Sequence, residues 1–229
     1  MLAQRAVDGK SNEITAIPEL LDMLALEGAI VSIDAMGTQK AIVARIVDSR
    51  ADYVLALKGH QTSLHDDAEL FFADSACAAT CQSETETDTD HGRIEERLYR
   101  AAAWLAERHP EWKGLRALTA ITARRIDKKS GAESLETRLY ITSLEPDPRA
   151  IFAAVRAHWR IENNLHWTMD VIFDEDRCRT RKDMSPRNLA AIRHAAFNIL
   201  KADKTKGSLP RKRLRACVDP CFRTNLFVA

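Results

Sequence analysis

Hydrophobic and polar residues follow two different periods along this 229-residue chain. Apolar positions recur at helical spacing over residues 14–26, 38–50 and 61–73, and β-branched runs at 29–34 and 52–58 predict two buried strands between these helices. Because the strands alternate with helices, we expect them to run parallel and to be joined by crossover helices. The pattern therefore predicts an α/β core.

The pattern changes to strand-like alternation at residues 93–101, 115–126 and 135–144, with a turn at 128–131, which predicts an antiparallel β insertion. Residues 83–90 have no apolar face and are predicted to be an exposed loop. Helical spacing returns at 151–170 and 187–201. We therefore expect three segments: the first part of the core (1–75), the β-rich insertion (76–146) and the resumed core with a basic helical region (147–229).

The composition, 45% hydrophobic and 29% charged residues, is typical of a globular protein. No apolar run approaches the ~20 residues of a membrane span, and the start of the chain becomes acidic too soon for a secretory signal, so we expect a cytoplasmic protein with no membrane partner. The net charge of +1 conceals an asymmetry, since residues 156–229 contain 16 Lys or Arg and 8 Asp or Glu. A basic face of this kind suits a phosphate backbone, and a solvated tail is the alternative.

Five cysteines form two Cys-x3-Cys pairs, Cys77/Cys81 and Cys217/Cys221, and leave Cys178 over. An odd number of widely separated cysteines favours reduced thiols. Neither pair has the Cys-x2-Cys spacing of a zinc knuckle, and both are expected in loops, so a structural zinc site is disfavoured.

Candidate chemistry lies in a stripe of polar residues, His158, Glu162, His166 and Asp170, which recur every fourth residue of a predicted helix. Asp34 ends the first predicted strand, where open α/β sheets place their sites, although an Asp that starts a turn is the alternative. Two such carboxylates could share hard divalent cations. A pair of ions about 4 Å apart can activate water and stabilise the leaving oxygen of a phosphodiester.

Five motifs occur in one order along the chain: Lys10–Pro18, Ile33–Gln39, Asp52–Gly59, His91–Glu95, and His158–Asn163 followed by Leu165-His166-Trp167. Together they resemble bacterial insertion-sequence transposases of the subfamily that includes the H-repeat-associated proteins of Rhs elements. The resemblance implies a ribonuclease-H-like core of the DDE type, which uses two Mg²⁺ ions to hydrolyse DNA at transposon ends and join it to a target. It makes Asp34 the second acid and Glu162 the third, both metal ligands, and the β insertion is a feature of this family.

The same resemblance implies DNA as the partner, with a homodimer as a further expectation. Residues that could contact DNA lie beside the third acid and in the basic C-terminal part: Arg160, Asn163, His166, Arg177, Arg179, Arg181, Lys182, Arg211, Lys212 and Arg213. Some related families have Tyr, Arg and Lys around the third acid, where this chain has Val155, His158 and Met169. The roles of His158, His166 and Asp170 therefore cannot be inherited from that motif.

The first acid of the expected site has no clear counterpart. A DDE core needs two further strands and a helix before the second acid, roughly 35 residues or more, and only 25 residues separate Asp8 from Asp34. We therefore interpret Asp8 as a chance match and expect an N-terminally truncated transposase that is inactive alone. Two alternatives are a non-catalytic DNA-binding or inhibitory fragment, and a phosphatase-like hydrolase with Asp34 as nucleophile. The second is disfavoured because no Asp follows two residues after Asp34.

Overall fold

The computed structural model describes residues 13–89 and 92–227, except for the side chains of residues 13, 104 and 105. Asp8, the beginning of the Lys10–Pro18 motif, and His91 lie outside the described residues. The described chain divides into two compact units, which we call the sheet unit (13–159) and the helical unit (160–227).

The sheet unit is built on one six-stranded sheet with the order β1-β2-β6-β5-β4-β3. Its strands are β1 (Ile30–Ile33), β2 (Asp52–Leu57), β3 (Gln82–Asp88), β4 (Arg93–Ala102), β5 (Ala117–Asp127) and β6 (Glu133–Thr142). β1 and β2 are parallel, with Ile30 opposite Asp52, whereas all other neighbours are antiparallel. The mixed α/β class, the parallel pair and the antiparallel strands that follow it confirm the expectations from sequence. The strands of the predicted insertion continue the same sheet through the β2–β6 pair.

Helices cover both faces of this sheet. α1 (Glu13–Asp22), α2 (Lys40–Asp48), α3 (Thr62–Ala73) and the short α4 (Ser75–Ala79) precede or separate the strands, and α5 (Pro148–Ile161) follows them. Successive β2 residues point to opposite faces, so that Leu55 packs in the core with α2 and α3 while Val54 packs with Ile151 and Val155 of α5. Burial on both faces explains why β2 is an unbroken apolar run rather than an alternating one.

The helical unit contains the last residues of α5, a π-helical turn (Glu162–His166), α6 (Trp167–Phe173), α7 (Ser185–Ala202), α8 (Leu209–Val218) and α9 (Pro220–Asn225). Its own small core joins α6 to α7 through five buried side chains, Met169, Ile172, Phe173, Phe197 and Leu200. The basic C-terminal region is therefore folded into helices and is not the solvated tail considered as an alternative.

Three predictions of local structure were wrong. Most of the expected loop at 83–90 forms edge strand β3, since its pairing with β4 is made by the backbone and leaves the polar side chains exposed. Cys77, Cys217 and Cys221 lie in helices and not in loops. The helix predicted over 151–170 is interrupted by the π-helical turn. Among the described residues, no helix combines the length and the apolar character that crossing a membrane would require.

Candidate functional site

Asp34 follows β1 directly and caps a single 3-10 turn, Ala35–Gly37. Its Oδ1 accepts a long hydrogen bond of 3.3 Å from the Gly37 N–H, and the residue is exposed. A Cβ atom at Gly37 would lie 2.3 Å from Cγ2 of Ile33, so this close approach of the turn to the strand requires glycine. The carboxylate thus stands at the carboxyl end of a parallel strand with most of its acceptor capacity unused.

Three polar residues hold the turn after Asp34 in place. Thr38 is fully buried, and its hydroxyl donates to the Ala56 carbonyl at 2.7 Å. His60 Nε2 donates to the Ala35 carbonyl at 2.7 Å, and Gln61 Nε2 donates to the Thr38 carbonyl at 2.8 Å. These bonds fix the backbone beside Asp34 from the end of β2, and none of them involves its carboxylate.

Sequence reasoning did not identify His60 and Gln61 as supporting residues. The available signal was their position directly after β2 and Gly59, because the carboxyl ends of neighbouring parallel strands meet at one edge of a sheet.

His158 belongs to the sheet unit and contacts β1. A hydrogen bond of 3.1 Å joins its Nδ1 to Oγ of Ser32, and both residues are half-buried. Ser32 lies in β1, two residues before Asp34. His158 therefore fastens α5 to the strand that carries Asp34, a role that the four-residue stripe did not predict.

Glu162 opens the π-helical turn, in which the Trp167 N–H donates to the Glu162 carbonyl five residues earlier. The Thr168 hydroxyl donates to the Asn164 carbonyl at 2.8 Å and so satisfies a carbonyl within the widened turn. Leu165 packs against the core of the helical unit. The turn is thus anchored on one side and exposes Glu162 on the other.

The second part of the predicted stripe consists of Glu162, His166 and Asp170. Glu162 Oε1 lies 3.2 Å from His166 Nδ1, and the two side chains are 46% and 57% exposed. The pKa of Asp170 is raised, first by its burial and next by the nearby carboxylate of Asp176. The stripe of four therefore has two environments, with His158 against β1 and the other three in the helical unit.

The predicted DNA-contacting residues also divide into two groups. Arg160, Asn163, Arg179, Lys182 and Arg211 are exposed. The others have partners inside the unit, although all of them except Lys212 are exposed as well. These partners are Glu162 for His166, Asp174 for Arg177, the Cys178 and Thr180 carbonyls for Arg181, Asp203 for Lys212 and the Ile172 carbonyl for Arg213. Lys212 and Arg213 stay predicted DNA contacts, but the bonds of Lys212 to Asp203 and of Arg213 to the Ile172 carbonyl use part of their donor capacity within the fold.

A separate group on α3 could hold a cation. Ligand atoms of His65, Asp66 and Glu69 all lie within 4.8 Å of one another, and the two carboxylates are exposed. Its imidazole suits transition metals, whereas Mg²⁺ favours oxygen ligands. This group is therefore a competitor that any metal-binding measurement must separate from Asp34 and Glu162.

Comparisons with known proteins give one consistent result. The family model of the transposase DDE domain matches residues 1–199. "Putative transposase YncI" of Escherichia coli O157:H7 is 38% identical over 97% of this chain and 58% of its own length. "H repeat-associated putative transposase YhhI" of Escherichia coli K12 is 38% identical over 96% of this chain and 60% of its own length. The chain thus spans about three fifths of the length of these relatives.

Proposed function

Because the chain belongs to the transposase DDE domain family, we propose that it takes part in metal-dependent phosphodiester hydrolysis and strand transfer at the ends of an insertion sequence. Asp34 carries this proposal. It is an exposed carboxylate at the carboxyl end of a parallel strand, and its turn is held by the hydrogen bond of the buried Thr38. We further propose a ribonuclease-H-like arrangement of the core, which the parallel β1–β2 pair supports.

The donor atoms at both proposed positions fit Mg²⁺. Asp34 and Glu162 each offer a carboxylate with a free oxygen, and Mg²⁺ is commonly held by one or two carboxylates together with substrate phosphate oxygens. Bound Mg²⁺ would supply Lewis-acid stabilisation of charge on the phosphodiester. Asp34 and Glu162 would serve as its ligands, while Thr38, His60 and Gln61 keep the Asp34 turn rigid.

Metal binding by these two residues can be measured directly with Mn²⁺, which is detected by electron paramagnetic resonance. Asp34→Asn and Glu162→Gln keep the size of each side chain and remove its charge. We expect each substitution to weaken Mn²⁺ binding about tenfold or more, because a carboxylate ligand is lost. Asp66→Asn is the matched control for the group on α3.

The outcomes separate the two metal sites. Mn²⁺ binding that falls in both Asp34→Asn and Glu162→Gln but persists in Asp66→Asn would support the proposed site. Binding that disappears only in Asp66→Asn would assign the ion to α3 and contradict the proposal. Equal affinity in all four proteins would also contradict it.

Strand cleavage by this chain alone remains a separate prediction, which we expect to be negative. A Mg²⁺-dependent nicking assay on DNA that carries the ends of its own element tests it, with Glu162→Ala as the inactive reference. Nicking by the wild-type chain that Glu162→Ala abolishes would show that the chain is sufficient for catalysis. DNA binding without nicking would favour the second candidate, a non-catalytic DNA-binding fragment, which the basic helical unit supports.

A further inference from the structure

The lysines and arginines near the C-terminus fall into two groups, one bonded to acceptors within the helical unit and one without such partners among the described residues. One group, which we call the internal cations, bonds within the helical unit. Lys212 Nζ lies 2.9 Å from Asp203 Oδ2, Arg215 Nε lies 3.2 Å from Asp219 Oδ2, and Arg223 donates to the Ala216 carbonyl at 2.9 Å. Arg213 donates to the Ile172 carbonyl, as described above. These four residues hold the helices together.

The second group lies in the connection between α7 and α8 and the first turn of α8, residues 203–211, which we call the hairpin tip. Its three cations, Lys204, Lys206 and Arg211, are exposed and have no ionic partner among the residues that the structure describes. The acid of the tip, Asp203, is already occupied, because Lys212 Nζ bonds its carboxylate and donates to its carbonyl at 2.6 Å. Lys212 and Asp203 therefore bond to each other within the hairpin, and the three positive charges of Lys204, Lys206 and Arg211 are available to an external anion.

The backbone of the tip adds positive potential in the same place. α8 begins at Leu209, and the side chain of its N-cap residue, Ser208, makes no capping hydrogen bond. The first N–H groups of a helix lack acceptors within the helix and carry the positive end of its dipole. In α8 these are the N–H groups of Leu209 and Arg211, since Pro210 has none and the Lys212 N–H donates to the Ser208 carbonyl. Together with the flanking cations, this arrangement favours phosphate oxygens.

The other basic segment, residues 177–182, is less suited to an anion. Arg177 is paired with Asp174, and Arg181 donates to the carbonyls of Cys178 and Thr180. Arg179 and Lys182 are exposed, but Asp176 lies three residues before Arg179 and Asp183 directly follows Lys182. The hairpin tip is therefore the denser concentration of unpaired positive charge.

We propose that the hairpin tip binds the phosphate backbone of duplex DNA through Lys204, Lys206 and Arg211. This inference rests on the proposed function for the identity of the polyanion. It adds Lys204 and Lys206, which belong to the basic stretch 201–215 of the sequence, to the predicted DNA contact Arg211.

The test measures the affinity for a fluorescent duplex as a function of salt concentration, using the full chain and the double variant Lys204→Ala/Lys206→Ala. Each phosphate contact contributes about 0.9 to the slope of log K against log salt. We therefore expect the slope of the double variant to fall by about 2 and its affinity at low salt to drop roughly tenfold or more. The separate variant Lys204→Arg/Lys206→Arg keeps both charges and should therefore have the wild-type slope.

Lys128→Ala/Lys129→Ala is the matched control, since it removes two exposed lysines from the β5–β6 turn of the sheet unit. An unchanged slope in Lys204→Ala/Lys206→Ala, or an equal fall in the control, would overturn the inference. If the wild type binds DNA with a steep slope and neither variant changes that slope, DNA binding by the chain is supported and only its assignment to the hairpin tip is refuted. No binding by the wild type would overturn both the inference and the DNA-binding part of the proposed function.

A second copy of the chain is the alternative occupant, because residues 1–155 carry more acidic than basic side chains. Sedimentation without DNA at low salt separates the two. Self-association that Lys204→Ala/Lys206→Ala abolishes, with no change in the DNA slope, would assign the hairpin tip to a protein interface and refute its assignment to DNA.

Discussion

In the sheet unit, arginines are paired with glutamates on the same or neighbouring strands, whereas in the helical unit several exposed cations have no acidic partner among the described residues. Arg125 contacts Glu95 at 2.9 Å and Glu136 at 3.0 Å, and Arg124 contacts Glu133 at 2.9 Å. Lys204 and Lys206 have no such contact. Similar side chains therefore hold strands together in one unit and remain available to a partner in the other.

The geometry of each unit explains this difference. Glu95 and Arg125 lie directly opposite each other on antiparallel strands, where Cβ atoms are about 4.5–5.5 Å apart. Glu136 and Glu133 lie diagonally across from Arg125 and Arg124, a separation that long side chains can span. Helix connections such as residues 203–208 project away from the helices they join, and their side chains meet fewer neighbours. Charge alone therefore does not identify a binding surface, because the fold decides which charges are already used.

The largest effect is expected from breaking the charge network of the sheet unit at Glu95. Its side chain is only 8% exposed and contacts Arg97 at 2.6 Å and Arg125 at 2.9 Å. Glu95→Ala would leave these arginines with only Glu86 and Glu136, and we expect a loss of about 2 kcal/mol in the free energy of unfolding. Urea denaturation followed by circular dichroism measures it.

Glu133→Ala is the control for this experiment, because Glu133 pairs with Arg124 at the surface, where both side chains are about half exposed. Exposed pairs contribute little, so Glu133→Ala should leave the urea midpoint nearly unchanged. Equal losses in the two variants would show that burial does not distinguish these ion pairs.

Much of the sheet unit could be predicted from sequence, because its strands bury apolar residues in regular patterns. β2 reads as an unbroken apolar run, and the structure buries it on both faces. β3 could not be recognised in this way, since its residues pair through the backbone and bury almost nothing. Hydrophobic periodicity arises from the burial of apolar side chains, and an exposed edge strand buries too few of them to produce such a pattern.

A smaller effect is expected from opening the hairpin between α7 and α8. Lys212→Ala removes the ammonium that bonds the carboxylate and the carbonyl of Asp203. We expect amide hydrogen exchange at the end of α7 and the start of α8 to accelerate on the order of tenfold. Lys204→Ala, the exposed lysine beside Asp203, should leave exchange unchanged.

The same hairpin has a defined pH dependence. The pKa of Asp203 is lowered, first by the Thr205 hydroxyl and then by Lys212. A carboxyl whose folded pKa is depressed contributes stability above its unfolded pKa, and this contribution is lost as the pH falls through the folded value. The protection factors of the hairpin amides, which correct for the intrinsic pH dependence of exchange, should therefore fall below about pH 4 in the wild type, and less so in Lys212→Ala. A pH-independent difference between these proteins would contradict this pairing.

The candidate site was only partly predictable. Asp34 could be proposed because a strand pattern ends at that residue, and Glu162 because polar residues recur every fourth position. The π-helical turn at Glu162–His166 could not be predicted, since it depends on a hydrogen bond from the Trp167 N–H to a carbonyl five residues away. The partners of Lys212 and Arg213 could not be predicted either, because periodicity does not show which acids or carbonyls a folded lysine or arginine reaches.

The smallest effect concerns two cysteines, one in each unit, whose thiol pKa values are shifted in opposite directions. Burial raises the pKa of the Cys81 thiol in the sheet unit. In the helical unit, hydrogen bonds from the Thr180 hydroxyl and N–H, followed by Arg193, lower the pKa of Cys178 to about 7. Because the thiolate is the reactive form, iodoacetamide should modify Cys178 well before Cys81 at neutral pH.

Thr180→Val tests the cause of this difference, since it removes the hydroxyl and keeps the shape of the side chain. The thiolate of Cys178 would lose its largest stabilising contact, so its pKa should rise and its alkylation rate at pH 7 should fall severalfold, while Cys81 is unaffected. Mass spectrometry of the two peptides, measured across pH 6 to 9, gives both titration curves. If the Cys178 curve has the same midpoint in Thr180→Val and wild type, the hydroxyl is not the cause, and Arg193 becomes the contact to remove next.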